Sequence, residues 1–145
     1  MYKHSIYQDY SFGKKGEATA LPLLQQAIDP ELAPEPPMSS FDFATPNRTV
    51  FCELKTRRVK HNTYPTIIVN ESKADTARAG MEENPDRRYI FAFQFEDGIY
   101  YLEYETTLFE TFHSESRFNN DEGQKFQRVL HIPVELLQTF SLPIV

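Results

Sequence analysis

The segment SFDFATPNRTVFCELKTRRVK, residues 40–60, predicts a hairpin at the centre of the fold. Its turn falls at the TPN tripeptide, which separates two runs of strand-forming residues. Side chains alternate between the two faces of a strand, so Glu53 and Lys55 should share one face and Leu54 should lie on the other. The preceding strand can bring Asp42 beside them. The segment therefore predicts two carboxylates and an ammonium group at one place.

Two carboxylates at one place indicate a particular chemistry. Hard oxygen ligands suit a magnesium ion, and such an ion suits a phosphate group. A buried carboxylate pair without a counter-ion is costly, so the pair is expected to take up a proton or a metal ion. A Glu-x-Lys pair alone is also consistent with an ordinary ion pair on a strand. The spacing from Asp42 and the predicted helix before it favour the chemical interpretation.

This arrangement resembles the PD-(D/E)xK nuclease superfamily, whose core is shared by many restriction enzymes, junction resolvases and repair nucleases. The matching residues are Asp42 and, after ten intervening residues, Glu53, Leu54 and Lys55. The resemblance covers roughly residues 10–105 and depends on the order of the elements as much as on the letters of the motif.

The resemblance implies an α/β (α+β) fold with a restriction-endonuclease-like core. A central mixed sheet would be flanked by helices in the order α-β-β-β-α-β-β, with residues 1–145 forming one domain. Phe41 stands where the name motif has proline, at a position that varies within the superfamily.

The resemblance also implies a metal-dependent DNA endonuclease that hydrolyses phosphodiester bonds. Asp42 and Glu53 would bind Mg2+, for which Mn2+ is expected to substitute, together with a main-chain carbonyl from Leu54 or Cys52. Lys55 would position or activate the attacking water. A duplex nuclease of this size usually cuts both strands as a homodimer, so DNA and a second copy of the chain are the expected partners.

Two further residues are candidates for the same site. Superfamily members usually carry a glutamate on the helix before the hairpin, and some carry a basic residue on the helix after it. Glu17 and Lys73 fit these places, although a surface role is open for each. Pro22 complicates the first helix, because a helix that starts at this proline would leave Glu17 in the preceding loop.

Four cationic or titratable side chains follow the hairpin directly. Arg57, Arg58 and Lys60 would hold the DNA backbone on either side of the cleaved bond, and His61 is the histidine nearest the proposed site. A solvated strand end is the alternative. The net charge of -6 argues against a protein that coats nucleic acid, but a nuclease needs only a local group of cations.

The remaining sequence bounds the class of protein. No apolar run reaches the 18 residues that suggest a membrane span, and the N-terminus lacks the apolar core of a signal peptide. We therefore expect a cytoplasmic protein that is not secreted. Its one cysteine, Cys52, excludes an internal disulfide and is expected to be a small buried thiol. The four histidines are far apart and lack zinc-like spacing.

Outside the hairpin, the patterns predict helices at residues 14–28, 71–81 and 134–140, and strands at residues 63–69, 88–95, 99–105 and 128–132. Residues 29–38 hold four prolines and predict an extended loop. The TTLFETF segment fits either a short helix or a strand, and NNDEGQK predicts a polar loop.

Two other functions are consistent with the same sequence. One is a non-catalytic module that binds nucleic acid or assembles with other proteins while retaining the nuclease fold. The other is a small acidic protein that binds a partner through the aromatic hairpin of residues 88–105. The converging carboxylates and Lys55 favour the nuclease, because a purely structural role does not need them.

Overall fold

The computed structural model describes the backbone of residues 6–119 and 125–139 and the side chains of residues 16–118 and 126–139. The helices are α1 (Ile6–Ala27), α2 (Glu71–Glu83) and α3 (Thr106–Phe109). The strands are β1 (Ala33–Pro34), β2 (Phe43–Ala44), β3 (Val50–Thr56), β4 (Thr66–Asn70), β5 (Arg88–Phe95), β6 (Gly98–Glu103), β7 (His113–Asn119), β8 (Lys125–Pro133) and β9 (Gln138–Thr139).

The strands form two sheets. Among the described residues, six strands make a mixed sheet in the spatial order β1-β2-β3-β5-β6-β9, and three make a second sheet in the order β4-β8-β7. Strands β3 and β5 run parallel, whereas the other neighbours pair antiparallel. This mixed sheet with its helices confirms the predicted fold class. The strand predicted at residues 63–69 is present as β4, but it belongs to the second sheet.

The predicted central hairpin is present as β2 and β3. Phe43 pairs with Cys52, and the chain turns between the strands at the TPN tripeptide. The Thr45 hydroxyl donates to Asn47 Oδ1 at 2.7 Å and accepts the Val50 N–H at 3.1 Å. These bonds satisfy backbone and side-chain groups inside the turn, which fixes the register of the two strands.

Each face of the mixed sheet is covered by different elements. Cys52 and Leu54 of β3 pack with Ala20 and Leu24 of α1 on one face. Phe51 lies on the opposite face, in a cluster that joins the sheet to α2 and to the second sheet. That cluster includes Phe91, Phe93, Ala77, Ile67 and Ile132. Cys52 is fully buried, as predicted, and burial raises the pKa of its thiol well above the usual range.

The hairpin of β5 and β6 lines the interior. Its alternating aromatic residues Tyr89, Phe91, Phe93 and Phe95 are all buried. These four rings are therefore structural and are not exposed to a protein partner.

Helix α1 is longer than predicted and passes through Pro22 without ending. It already includes Ile6, and the alternative that it starts at Pro22 is wrong. Pro22 lies on the exposed side, whereas Ala20 and Leu24 are fully buried against the sheet, so tertiary packing holds the helix together. Within the described residues, none of the helices combines the length and apolar character that crossing a membrane requires.

The last part of the chain differs most from the prediction. The helix predicted at residues 134–140 is wrong, because only a 3-10 turn (Val134–Leu136) forms before β9. Gln138 and Thr139 pair with β6 at the edge of the mixed sheet, and this pairing outweighs the weak tendency of so short a helix. Strand β7 was not predicted. Residues 120–124 of the predicted polar loop lie outside the described residues.

Substituting Gly80 with alanine is expected to destabilise the fold. An added Cβ would lie 1.8 Å from the Tyr89 hydroxyl oxygen, and the buried Tyr89 ring stacks on Phe51 at 4.8 Å, so it cannot move freely. Overpacking of this kind costs about 1–3 kcal/mol, partly offset by the better helix propensity of alanine. Urea unfolding measures the change. Ala79→Ser on the exposed side is the control, expected within about 0.5 kcal/mol of wild type, and an equal effect of both would contradict the packing argument.

Candidate active site

Two carboxyl groups meet at the start of the central hairpin. Continuing the β2–β3 register by one residue places Asp42 opposite Glu53. Asp42 Oδ2 accepts a hydrogen bond from the Leu54 N–H at 2.8 Å, which fixes that carboxylate beside the strand. Glu53 is only 9% exposed. Burial, the charge of Asp42 and a hydrogen bond with the Asp42 carboxyl group together raise the pKa of Glu53 to about 8.

Aromatic packing explains why Asp42 lies there. Phe41 and Phe43, on either side of it, are both buried, but they enter different clusters. The Phe41 ring lies 5.2 Å from that of Tyr89, and the Asp42 main-chain carbonyl accepts the Glu35 N–H at 2.9 Å. The chain is therefore held on both sides of Asp42, and its carboxylate is directed at β3. Because the carboxylate is already ordered, little conformational entropy is lost when it binds a ligand.

Lys73 extends from α2 toward Glu53. Its Nζ lies 3.6 Å from Glu53 Oε2, donates to the main-chain carbonyl of Ser40 and lies 5.6 Å from the centre of the Phe41 ring. The ammonium therefore joins α2 to both halves of the hairpin. Its positive charge opposes the rise in the pKa of Glu53.

Lys55 lies on the same strand face as Glu53, because the two residues are two positions apart on β3. Burial lowers the pKa of Lys55, and the charge of Arg57 lowers it further, while Glu53 opposes both effects. The side chain is half-buried. Lys55 consequently gives up its proton more readily than a surface lysine does.

Glu17 lies in helix α1, which packs on the opposite face of the sheet from Glu53. The helix approaches the end of β3 closely at Gly16, where an added Cβ would lie 2.4 Å from Thr56 Oγ1. Glu17 itself is half-buried and has interactions of its own. Its role in the site stays a prediction.

The predicted cationic residues line a cleft of about 540 Å³ beyond the end of β3. Arg57 is the most enclosed of them and donates to the Thr56 carbonyl at 3.1 Å. Arg58 and Lys60 are exposed at the same cleft. Arg117 of β7 joins them from the second sheet. Sequence reasoning missed Arg117, because its strand is polar and its place opposite the hairpin depends on sheet pairing.

His61 also lines the cleft, but it has a structural partner. Its Nδ1 lies 2.5 Å from Asp97 Oδ2, its N–H donates to Asp97 Oδ1 at 2.9 Å, and its ring stacks on Tyr100 at 4.3 Å. The histidine also lowers the pKa of Asp97 through these hydrogen bonds. His61 therefore ties the loop after β3 to the turn between β5 and β6.

A family model described as "Phage putative PDDEXK endonuclease" matches residues 24–140. The matched range contains Asp42, Glu53, Lys55 and Lys73, whereas Glu17 lies outside it. A search of curated proteins finds no match. The match spans most of the chain, and the chain therefore belongs to the phage PDDEXK endonuclease family within the PD-(D/E)xK nuclease superfamily.

Proposed function

We propose that this protein is a Mg2+-dependent endonuclease that hydrolyses phosphodiester bonds in DNA, with Asp42 and Glu53 as metal ligands. The observation that carries the proposal is the buried carboxylate pair, in which the pKa of Glu53 is raised to about 8. Lys73 and Lys55 offset only part of this rise in pKa, so the pair favours a shared proton or a bound cation. Two carboxylates and a main-chain oxygen of Leu54 or Cys52 are the ligands that Mg2+ or Mn2+ prefers.

The side chains of the site have different proposed roles. When bound, a divalent cation stabilises the negative charge that develops on the phosphoryl oxygens during hydrolysis. Lys55, whose pKa is lowered by burial, holds the attacking water and can accept its proton. Lys73 orients the Glu53 carboxylate and adds positive charge beside the phosphate. Glu17 is proposed to complete the site from the end of β3, which α1 approaches at Gly16.

The cationic cleft is proposed to bind the substrate. Arg57, Arg58 and Lys60, joined by Arg117, would contact backbone phosphates next to the cleaved bond. A second copy of the chain is proposed to cut the other strand, because one set of Asp42 and Glu53 serves one phosphodiester bond.

The direct test is incubation of the wild-type protein with supercoiled and branched DNA in Mg2+, in Mn2+ or in a chelator, with RNA substrates for comparison. The expected result is nicked or linear DNA that forms only when a divalent metal is present. If no substrate is cleaved and calorimetry detects no Mg2+ binding, the proposal is overturned. The remaining interpretation would then be a non-catalytic module that retains the nuclease fold.

Lys73→Met is expected to slow cleavage about 10- to 100-fold, less than the loss of a group that touches the substrate directly. The variant removes the cation 3.6 Å from Glu53 Oε2 while keeping the length of the side chain. Single-turnover rates and DNA binding are measured separately. Arg78→Met, on the same helix, removes a cation that lies 3.2 Å from Asp75 instead, and it is the matched control. Equal slowing in both variants would show that helix charge, not contact with Glu53, matters.

A further inference from the structure

A second group of metal-ligating side chains lies on the three-stranded sheet. His113 and His131 face each other across β7 and β8, and Glu115 follows two residues after His113 on the same face. His131 Nε2 lies 2.7 Å from Glu115 Oε1, and His113 Nε2 lies 3.7 Å from Glu115 Oε2. One ligand atom from each residue lies within 4.8 Å of the other two. We call these three residues the His-Glu cluster.

A fourth residue orients the buried side of this cluster. Thr66 Oγ1 of β4 lies 3.3 Å from His131 Nδ1. When this Nδ1 carries a proton and donates it to the hydroxyl, Nε2 is left with a lone pair directed at Glu115. Two lone pairs at 2.7 Å repel unless a cation lies between them, and that cation is a proton or a metal ion. Metal-binding histidines are commonly oriented through their other nitrogen in this way.

We propose that His113, Glu115 and His131 form a binding site for a divalent transition-metal ion of the zinc class. Two imidazoles and one carboxylate are the ligand set of many three-residue zinc sites, which leave a fourth position open to solvent. Magnesium prefers oxygen ligands and would not compete for the histidines. The site is thus chemically distinct from the pair formed by Asp42 and Glu53.

The cluster can reach coordination geometry with little movement. Bonds of about 2.0–2.2 Å to one ion place ligand atoms roughly 3–4 Å apart. The 3.7 Å separation lies in this range, and the 2.7 Å separation must widen slightly to reach it. His131 is 22% exposed and held by Thr66, whereas the His113 side chain is 70% exposed and can rotate toward the ion. The positive charge of Arg117, which acts on Glu115, opposes binding and favours moderate affinity.

The bound ion would join β7 to β8. Both strands lead toward residues 120–124, and His131 also lines the cationic cleft. The three ligands come from two neighbouring strands. A metal ion held by all three would therefore keep the strands in the register that pairs His113 with His131. The expected consequence is a metal-dependent gain in the stability of this hairpin.

Calorimetric titration with Zn2+ and visible absorption with Co2+ test the site, both in a large excess of Mg2+ that fills oxygen-only sites. One transition-metal ion per chain is expected, with the absorption of imidazole-bound cobalt. Loss of a residue that supports a metal ligand typically weakens binding roughly 10- to 100-fold, and His113→Gln and His131→Gln, which remove ligands, should each weaken Zn2+ binding at least as much. Thr66→Val, which removes a supporting contact, should weaken it by about 10-fold. His113→Gln changes an exposed side chain, so its folding should be intact.

The His61 and Asp97 pair supplies the matched control. It also places a histidine nitrogen 2.5 Å from a carboxylate oxygen, but among the described residues it does not belong to a three-ligand group. His61→Gln should leave Zn2+ affinity unchanged. Binding that saturates only at millimolar Zn2+, or that survives in both His113→Gln and His131→Gln, would overturn the site. Neither result bears on the nuclease proposal, since the ligands differ.

Discussion

Glu53→Ala and Lys55→Ala are each expected to reduce the rate of DNA cleavage about 1,000-fold or more. Glu53 is the buried member of the carboxylate pair and a proposed metal ligand. Lys55 lies on the same face of β3, and burial lowers its pKa. The two variants therefore remove different functions, metal binding in one and handling of the attacking water in the other. Single-turnover cleavage of supercoiled DNA in Mg2+ measures both.

Metal binding separates the two roles. Glu53→Ala should lose Mg2+ binding by calorimetry, whereas Lys55→Ala should retain it, because an ammonium group is not a metal ligand. The matched control is Glu103→Ala, which removes a half-buried glutamate of β6 that pairs with Arg88 of β5 at 2.6 Å. Its cleavage rate should equal that of wild type. A folded Glu53→Ala variant that keeps a tenth of the wild-type activity would show that Glu53 is not part of the active site.

The hairpin and its carboxylates were predictable because their chemistry is local. Only ten residues, including the TPN turn, separate Asp42 from Glu53. The two strands can therefore pair in few registers that place both carboxylates on one face. The helix that carries Lys73 followed from a strand-to-helix pattern with Asn70 at the boundary, whereas the choice of Lys73 came from the resemblance to the superfamily. Asn70 occupies the N-cap position, although its side chain makes no capping bond.

Other features depend on long-range pairing, which one sequence does not reveal. Strand β7 reads HSESRFN, a polar run without the apolar alternation that marks a half-buried strand. Its pairing brings together His113 and His131, which are far apart in the sequence. The apolar pattern of β4 predicted a strand but not its sheet. The exposed place of Pro22 depends on how α1 packs, and the sequence alone left that open.

In the absence of divalent metal, the free energy of unfolding should fall as the pH rises from about 5 to 8, and Glu53→Gln should abolish this fall. Burial and the charge of Asp42 raise the pKa of Glu53 from 4.5 to about 8. Between these values the folded chain holds a proton that the unfolded chain has released. The folded state therefore loses stability as pH rises, by roughly 3–4 kcal/mol across the window at 1.36 kcal/mol per pH unit.

The difference between wild type and Glu53→Gln reports the effect of the Glu53 charge, including its influence on Lys55, whose own effect on stability has the opposite sign. Because burial lowers the pKa of Lys55, the folded chain releases a proton that the unfolded chain keeps, and stability rises with pH above that lowered value. Urea unfolding at several pH values gives both curves. Saturating Mg2+ should restore wild-type stability at pH 8 but not raise that of Glu53→Gln. Parallel pH curves for the two proteins would mean that Glu53 ionises normally in the folded chain, and the carboxylate pair would then have no special affinity for a cation.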